Sequence, residues 1–495
     1  MSPTAIETPV SSGKSSTPPP GVTTQLCDWI HSLKLEDVPE DVRTRAKYLI
    51  LDGLACALNG AHVPWSEQAA QAMLEFEEPG EHVLFGWDKK VGPLAAALLN
   101  GTFLQACELD DFHSVAPLHS CAVLLSALFA AAQCQKSAKK DPRTVDGASF
   151  LLSCLVGFEV GPRAGHALNG AEVLQLGWHC GPIFGHPAAA AAASKLFNAS
   201  SFQIEDAIGI ACTQSCGLMS AQYEGMIKRM QHAFAARNGL FGALLARSGY
   251  VGIRKVFERP YGGYLSMFSQ GSAKTPKYQE QEVVKDLGEY WHTKVIRTKM
   301  HACVGGAHGL IEAIASLQQR EPEKMANLGS ISHMNIRLSH PVYAHDGWKA
   351  ERPMTATGGQ MNAGYIAAVQ LVDKQVLLAQ FANSQLDRDE VWSLIPKIDC
   401  EHGPEFDHPS RGCGAHIVVR FNDESVLEEI IDQPRGFDPP ISNEEIQAKW
   451  RKLTEEIMDH DRRDAIENFV LGLENLEDVT KLTTALSGMV ANPLK

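Results

Sequence analysis

The stretch Glu108-Leu109-Asp110-Asp111-Phe112-His113-Ser114-Val115-Ala116-Pro117-Leu118-His119 sets three carboxylates and two histidines between two apolar segments. Carboxylates and imidazoles this close can move protons, orient one another or hold a charged ligand. Leu94 to Cys107 before it and Cys121 to Ala132 after it read as apolar helices, so the charged run sits at a helix junction. Pro117 suits the first turn of a helix, which predicts His119 in the first turn of the second one. Free N–H groups there would help an imidazole hold a carboxylate or phosphate. The competing reading is a solvated polar loop between core helices.

Two further stretches are basic in an otherwise acidic protein. Between Lys228 and Arg259 stand Lys228, Arg229, Arg237, Arg247, Arg254, Lys255 and Arg259 against the single acid Glu258. Lys228-Arg229-Met230-Gln231-His232 opens a predicted helix after the glycine-bearing stretch Gly217 to Gly225, an arrangement suited to anions; the alternative is a basic surface face. Trp291 to His308 has no acid and carries His292, Lys294, Arg297, Lys299, His301 and His308. If both stretches face one cleft, the ligand carries several negative charges. A polycarboxylate fits better than a nucleotide, because neither a P-loop nor a Rossmann glycine pattern is present.

Three other groups carry weaker signals. In Trp178-His179-Cys180-Gly181-Pro182 the neighbouring histidine and cysteine point in different directions, so a Cys–His nucleophile is discounted. Cys180 reads as a small core residue, and His179 as either a pocket wall or a core histidine. His113, His119 and Asp111 lack the clustered ligand spacing of a metal centre, and no metal is expected. Tyr365 offers a phenol near the start of an apolar helix, a position that packing alone would also explain.

These candidates belong to a chain of 495 residues with a formal net charge of −14. That length suits two or three domains, and the charge argues against nucleic acid or an anionic membrane as partner. No apolar run is long enough to span a bilayer. The 12 cysteines form no CxxC pair and follow no secretory signal, which points to reduced thiols and a cytoplasmic location. Residues 1–22, rich in Ser and Thr with Pro18-Pro19-Pro20, are expected to be a disordered tail.

Helical periodicity runs through Val42 to Ala57 and through segments 92–107, 119–134, 147–160, 187–197, 203–217 and 232–248. Near residue 293 the pattern changes. Met334, Ile336 and Leu338 alternate with polar neighbours, and Asn422-Asp423-Glu424-Ser425 joins two strand-like runs as a hairpin. Gly359 to Val372 reads as a helix between them, and helices return from Asn443. The expected fold is mainly α: a large all-helical domain, 23–292 plus 435–490, with an inserted smaller α+β lid domain over 293–434 and a ligand cleft between them.

Taken in order, AKYLILDG at 46–53, ELDDFHSVAPLH, GWHCG at 177–181, ACTQSCGLMSAQ at 211–222, KRMQHAFAARNG at 228–239 and GGQMNAGYIAAVQLVD at 358–373 resemble the MmgE/PrpD family of 2-methylcitrate dehydratases and cis-aconitate decarboxylases, on its fungal decarboxylase side. The resemblance runs from about Gln25 to the last helix. It implies a homodimer of two-domain subunits with no metal or organic cofactor, acting on a small polycarboxylate. The activity it implies is decarboxylation of cis-aconitate to itaconate and CO2. The alternatives are a dehydratase for 2-methylcitrate or a related hydroxy-acid, and an inactive polycarboxylate-binding protein. Carried over by motif, Glu108 with Asp110 and Asp111 beside it, His119 and Tyr365 become the site candidates, Glu108, Asp111, His119 and Tyr365 as catalytic residues, with His119 the proton donor and Tyr365 the runner-up. Lys228 or Arg229, Lys299 and His179 become substrate-binding candidates. Where some relatives carry a histidine five residues after the lysine, this chain has Val304, so His301 or His308 would take that role.

Overall fold

The computed structural model describes residues 20–113, 115–408 and 410–495. The expected tail lies outside the described residues as far as residue 19, and it ends sooner than position 22: Val22 is buried and opens the helix Val22–Ser32. Among the described residues, no helix is long and apolar enough to cross a membrane.

The larger domain is built round the helix Cys180–Leu196, which packs against Gly147–Ala167, Ile227–Arg247, Ser201–Cys212 and Ser120–Lys136. Ala188 to Ala193 are all buried, and their small side chains let these neighbours approach closely. A helix apolar on every side belongs in a core. It begins seven residues ahead of the expected start at 187, because Pro182 is tolerated in the first turn. Pro187 lies inside the helix and has no N–H for the Ile183 carbonyl. The Tyr264 hydroxyl donates to that carbonyl instead, at 2.9 Å.

In the smaller domain the strands run Ile398–His402, Ile331–Leu338, Ala415–Phe421, Val426–Ile431 across a four-stranded sheet. The first pair is parallel and the other two are antiparallel, with Ile336 facing Cys400 on one side and Ile417 on the other. Met334, Ile336, Leu338, Ile417 and Val419 are all buried on one face. The helix His308–Arg320 packs on the Ala415 and Val426 strands, and Ala363–Asp373 on the Ile398 strand. The alternation read at Met334, Ile336 and Leu338 and the hairpin at 422–425 are therefore present, whereas the Ile398 strand gave no comparable signal. The helix read from Gly359 is interrupted, because Asn362 caps a new one by accepting from Tyr365 N at 2.7 Å.

A boundary at 293 does not match the structure. Ile296–Thr298 pairs with Asp111–His113 of the larger domain, with Thr298 opposite Asp111 and Ile296 opposite His113. This short ladder brings Lys299 beside the charged run that precedes Asp111. After the smaller domain, the helix Asn443–Thr454 returns to pack on Glu40–Gly60. Its Lys449 ammonium lies 2.7 Å from the buried Asp52 carboxylate and donates to the Leu109 carbonyl at 2.7 Å. Removing one partner of a buried pair strands the other charge. Lys449→Ala should therefore cost about 3–5 kcal/mol of stability, measured by urea unfolding, while Lys452→Ala on the exposed face should cost less than about 0.5 kcal/mol.

Candidate functional site

The helix Pro93–Gln105 ends at the charged run, and Glu108 turns the chain with a φ of 52°. That left-handed conformation is uncommon for a residue with a side chain and requires support from its surroundings. Glu108, Asp110 and Asp111 are at most 1% exposed, which removes the solvated-loop reading. Three carboxylates in a core need partners, and each has a different one.

Glu108 accepts from the Lys228 ammonium on Oε1 and from Lys299 on Oε2 at 3.3 Å. Gln105 Nε2 also donates to Oε1 at 2.9 Å, and Lys299 to the Glu108 carbonyl at 3.1 Å. Burial alone would raise the Glu108 carboxyl, but Lys228, Lys299, His119 and Arg229 hold it well below the ordinary carboxylate range. Burial draws Lys228 below the usual lysine range, and Glu108 opposes that shift. Lys228 and Arg229, the two basic candidates, differ in direction. Lys228 lines the cavity, whereas Arg229 points away, donating to Ala106 O at 2.8 Å and Gln360 Oε1 at 2.7 Å with its guanidinium over Trp65. Arg229 is thus a positioning residue that ties the two domains together. Gln360 completes the tie by donating to Cys107 O and Ala302 O.

Asp110 accepts from His119 Nδ1 at 3.1 Å. That bond fixes the ring and leaves Nε2 as the atom free to meet a ligand. His119 is the residue before the helix Ser120–Lys136, not a member of its first turn, and Pro117 stands outside it. The reason is Asp111, whose carboxylate accepts from Ser120 N and Cys121 N, both at 2.9 Å. The helix N-terminus is therefore already occupied, and a ligand cannot use those N–H groups as expected. Burial and the neighbouring Asp110 push Asp111 up to about 7. Asp111 does not line the cavity; it positions His119.

His179 also precedes a helix and lines the cavity. Its Nδ1 bonds Gln231 Oε1, while the Gln231 amide donates to Leu218 O at 3.2 Å, so Nδ1 carries the proton and Nε2 a lone pair. Burial and Lys228 hold His179 well below the usual histidine range. His232 sits between the two, its ring centroid 4.7 Å from both His119 and His179, with neither nitrogen bonded. Gly181 makes room for it: a Cβ there would fall 1.8 Å from His232 Nε2.

Glu108, His119, His179, Lys228 and Lys299 share a cavity of about 700 Å3 with Arg297, His345 and Asp346. Among the described residues, the Arg297 guanidinium has no ion-pair partner and lies 5.1 Å over the Phe437 ring. Sequence reasoning passed over His345 and Asp346, since a histidine and an aspartate on a short helix form no motif. Asp346 is 1% exposed with neither carboxylate oxygen hydrogen-bonded, and burial raises it well above the ordinary carboxylate range. Burial brings His345 down to about 4.

Other candidates are not brought into the site. The Tyr365 hydroxyl donates to Leu386 O at 3.2 Å and its ring packs 5.8 Å from Trp392, so it is a core residue and no proton donor. His301 packs edge-on against His308 at 5.0 Å, and neither lines the cavity, whereas Val304 does. His113 turns away from His119 to meet His166 and His292. Its Nδ1 accepts from Ala116 N at 3.1 Å, so Nε2 carries the proton and donates to His292 Nδ1 at 3.3 Å. The hydrogen bonds of that trio thus use the lone pair a metal ion would need.

The profile described as the MmgE/PrpD N-terminal domain matches residues 24–276, and the MmgE/PrpD C-terminal domain matches 301–475. The chain is 57% identical over 476 residues to the cis-aconitate decarboxylase-like protein oryM of Aspergillus oryzae, covering 96% of this chain and 98% of that one. It is 48% identical over 480 residues to a cis-aconitate decarboxylase of Aspergillus terreus, with 96% and 97% covered. To the human cis-aconitate decarboxylase it is 25% identical over 476 residues, with 94% and 95% covered.

A carboxyl whose pKa is raised on folding is most compatible with the fold when protonated, so its ionisation removes stability as pH rises from about 3.8 through the folded value. Asp346→Asn, which stays neutral, should therefore be more stable than the parent at pH 8 and lose that advantage near pH 4. Urea midpoints at the two pH values measure this; an advantage that grew towards acid would contradict it.

Proposed function

Given that the chain belongs to the MmgE/PrpD family, we propose that it decarboxylates cis-aconitate to itaconate and CO2 without a cofactor. The observation that carries this reading is the meeting in one cavity of Lys228 and Lys299, both on the one carboxylate Glu108, with Arg297, which has no ion-pair partner among the described residues, and an imidazole oriented by Asp110. Two lysines sharing one carboxylate leave local positive charge for the carboxylates of a substrate. The names carried by the Aspergillus relatives support the same substrate.

Cleavage of the CH2–COO− bond releases CO2 and leaves an electron pair that shifts into a new C=C bond. The old double bond delivers its electrons toward the carbon beside the distal carboxylate, where negative charge collects until a proton arrives. Lys228, Lys299 and Arg297 stabilise that charge with groups already in place. His119 donates the proton from Nε2 to the former vinyl carbon and recovers it from water. Asp110, bonded to Nδ1, holds the ring so that Nε2 stays free for this step. His179 Nε2 accepts a hydrogen bond and cannot donate one.

The same reading includes a homodimer in the cytoplasm, for which the exposed apolar side chains Tyr250, Val251 and Tyr261 offer a contact surface. Light scattering of the purified protein should give twice the chain mass; a monomer would remove this part alone.

Proton NMR of the protein with cis-aconitate should show the two vinylidene protons of itaconate. Their absence, with water lost from 2-methylcitrate instead, would turn the assignment to a dehydratase. His119→Ala should lower kcat by about 10² to 10⁴, the range for a lost acid or base, and Tyr365→Phe should leave kcat within about threefold.

A further inference from the structure

The cavity is too large and too apolar for the compact trianion alone. Counted generously at about 30 Å3 per non-hydrogen atom, the liquid volume of a water, the twelve such atoms of cis-aconitate take roughly 360 Å3. The cavity offers about 700 Å3. Open domains do not account for the surplus, since Lys299 reaches Glu108 and Arg229 reaches Gln360 across the domain boundary.

The surplus has its own chemistry. The charged groups interlock at one end, through Glu108 with both lysines and through the His119, His232 and His179 rings. The remaining wall includes the apolar Val115, Leu174, Pro341, Val342 and Phe406, with Glu172, Lys274 and Asp407 also on the lining. Val115, Leu174, Pro341 and Val342 lie on adjoining segments. A Cβ on Gly170 would touch the Val115 carbonyl, and the helix Ala171–Gln175 with Leu174 packs against the helix His340–Asp346 with Pro341 and Val342. Val342 and Asp346 lie one turn apart and both border Gly306, where a Cβ would sit 2.8 Å from Val342 and 2.7 Å from Asp346. This helix face therefore passes from apolar wall to charged end. Val115, an apolar side chain on the cavity lining, stays 50% exposed among the described residues.

Resting on the decarboxylase reading, we infer that the preferred substrate is a cis-aconitate homologue with an unbranched alkyl chain on its methylene or vinyl carbon. The three carboxylates occupy the charged end and the chain lies along Val115, Leu174 and Val342. The reaction is unchanged in its balance. The bond to the leaving carboxylate breaks, CO2 departs, its electron pair forms the new double bond, and the former vinyl carbon takes a proton; the chain takes no part. Each methylene buried strengthens binding about fourfold, so a chain of several carbons dominates selectivity.

The test compares kcat/KM for cis-aconitate with those for its two n-hexyl homologues, substituted at the methylene or the vinyl carbon, by CO2 release. One homologue should exceed cis-aconitate by tenfold or more. Leu174→Glu, or the half-exposed Val115→Asp if the first fails to fold, should lower that homologue's kcat/KM at least tenfold and leave cis-aconitate within twofold. Equal or higher kcat/KM for cis-aconitate overturns the alkyl assignment and leaves the decarboxylase reading standing. Release of CO2 from none of the three overturns that reading and this inference with it.

Discussion

One buried carboxylate shared by two lysines governs the rest of the arrangement. Lys228 and Lys299 come from segments far apart in the chain, and without Glu108 between them their like charges could not stay together in a low-dielectric interior. Glu108 meets both only by turning the backbone to positive φ, and the ladder between Asp111–His113 and Ile296–Thr298 sets the distance at which Lys299 arrives. Each lysine retains N–H groups beyond those spent on Glu108, so the pair is neutral enough to bury and still able to bind an anion.

Around that pair the chain uses similar groups for unlike tasks. Asp110 holds an imidazole, Asp111 closes a helix, and Asp346 accepts no hydrogen bond; the surroundings of each carboxylate, more than its type, decide what it does. The histidines divide likewise. His119 and His179 keep Nε2 for a ligand, His232 fills the space between them, and His113 joins a separate trio.

The helical domain was legible because long apolar periods persist through most of it, and the central strands because Met334, Ile336 and Leu338 alternate strictly. Boundaries were less so. The Cys180 helix is apolar on every side, and periodicity has nothing to register where no face is polar. Within the site, Glu108, His119, Lys228, Lys299 and His179 stood out by residue type in charged or family-like segments. What could not be read was direction: Lys228 and Arg229 are adjacent, and only the helix rotation sends one into the cavity and the other to Gln360. Tyr365 failed for the same reason, since a phenol near a helix start has a type but no heading. Asp346 had no local signal, because its isolation arises from elements far off in the sequence.

The Glu108–Lys299 bond joins a residue inside the N-terminal family profile to one in the short gap before the C-terminal profile, and Arg229 reaches from the first profile to Gln360 in the second. The charge balance of the cavity is thus divided between the parts of the chain, and neither part carries a complete anion site. A lineage that altered the charge of its ligand by changing one part would leave an unmatched ion buried in the other. Recombination within the family is therefore constrained at this junction: exchanged halves must agree in their electrostatics before they need agree in shape.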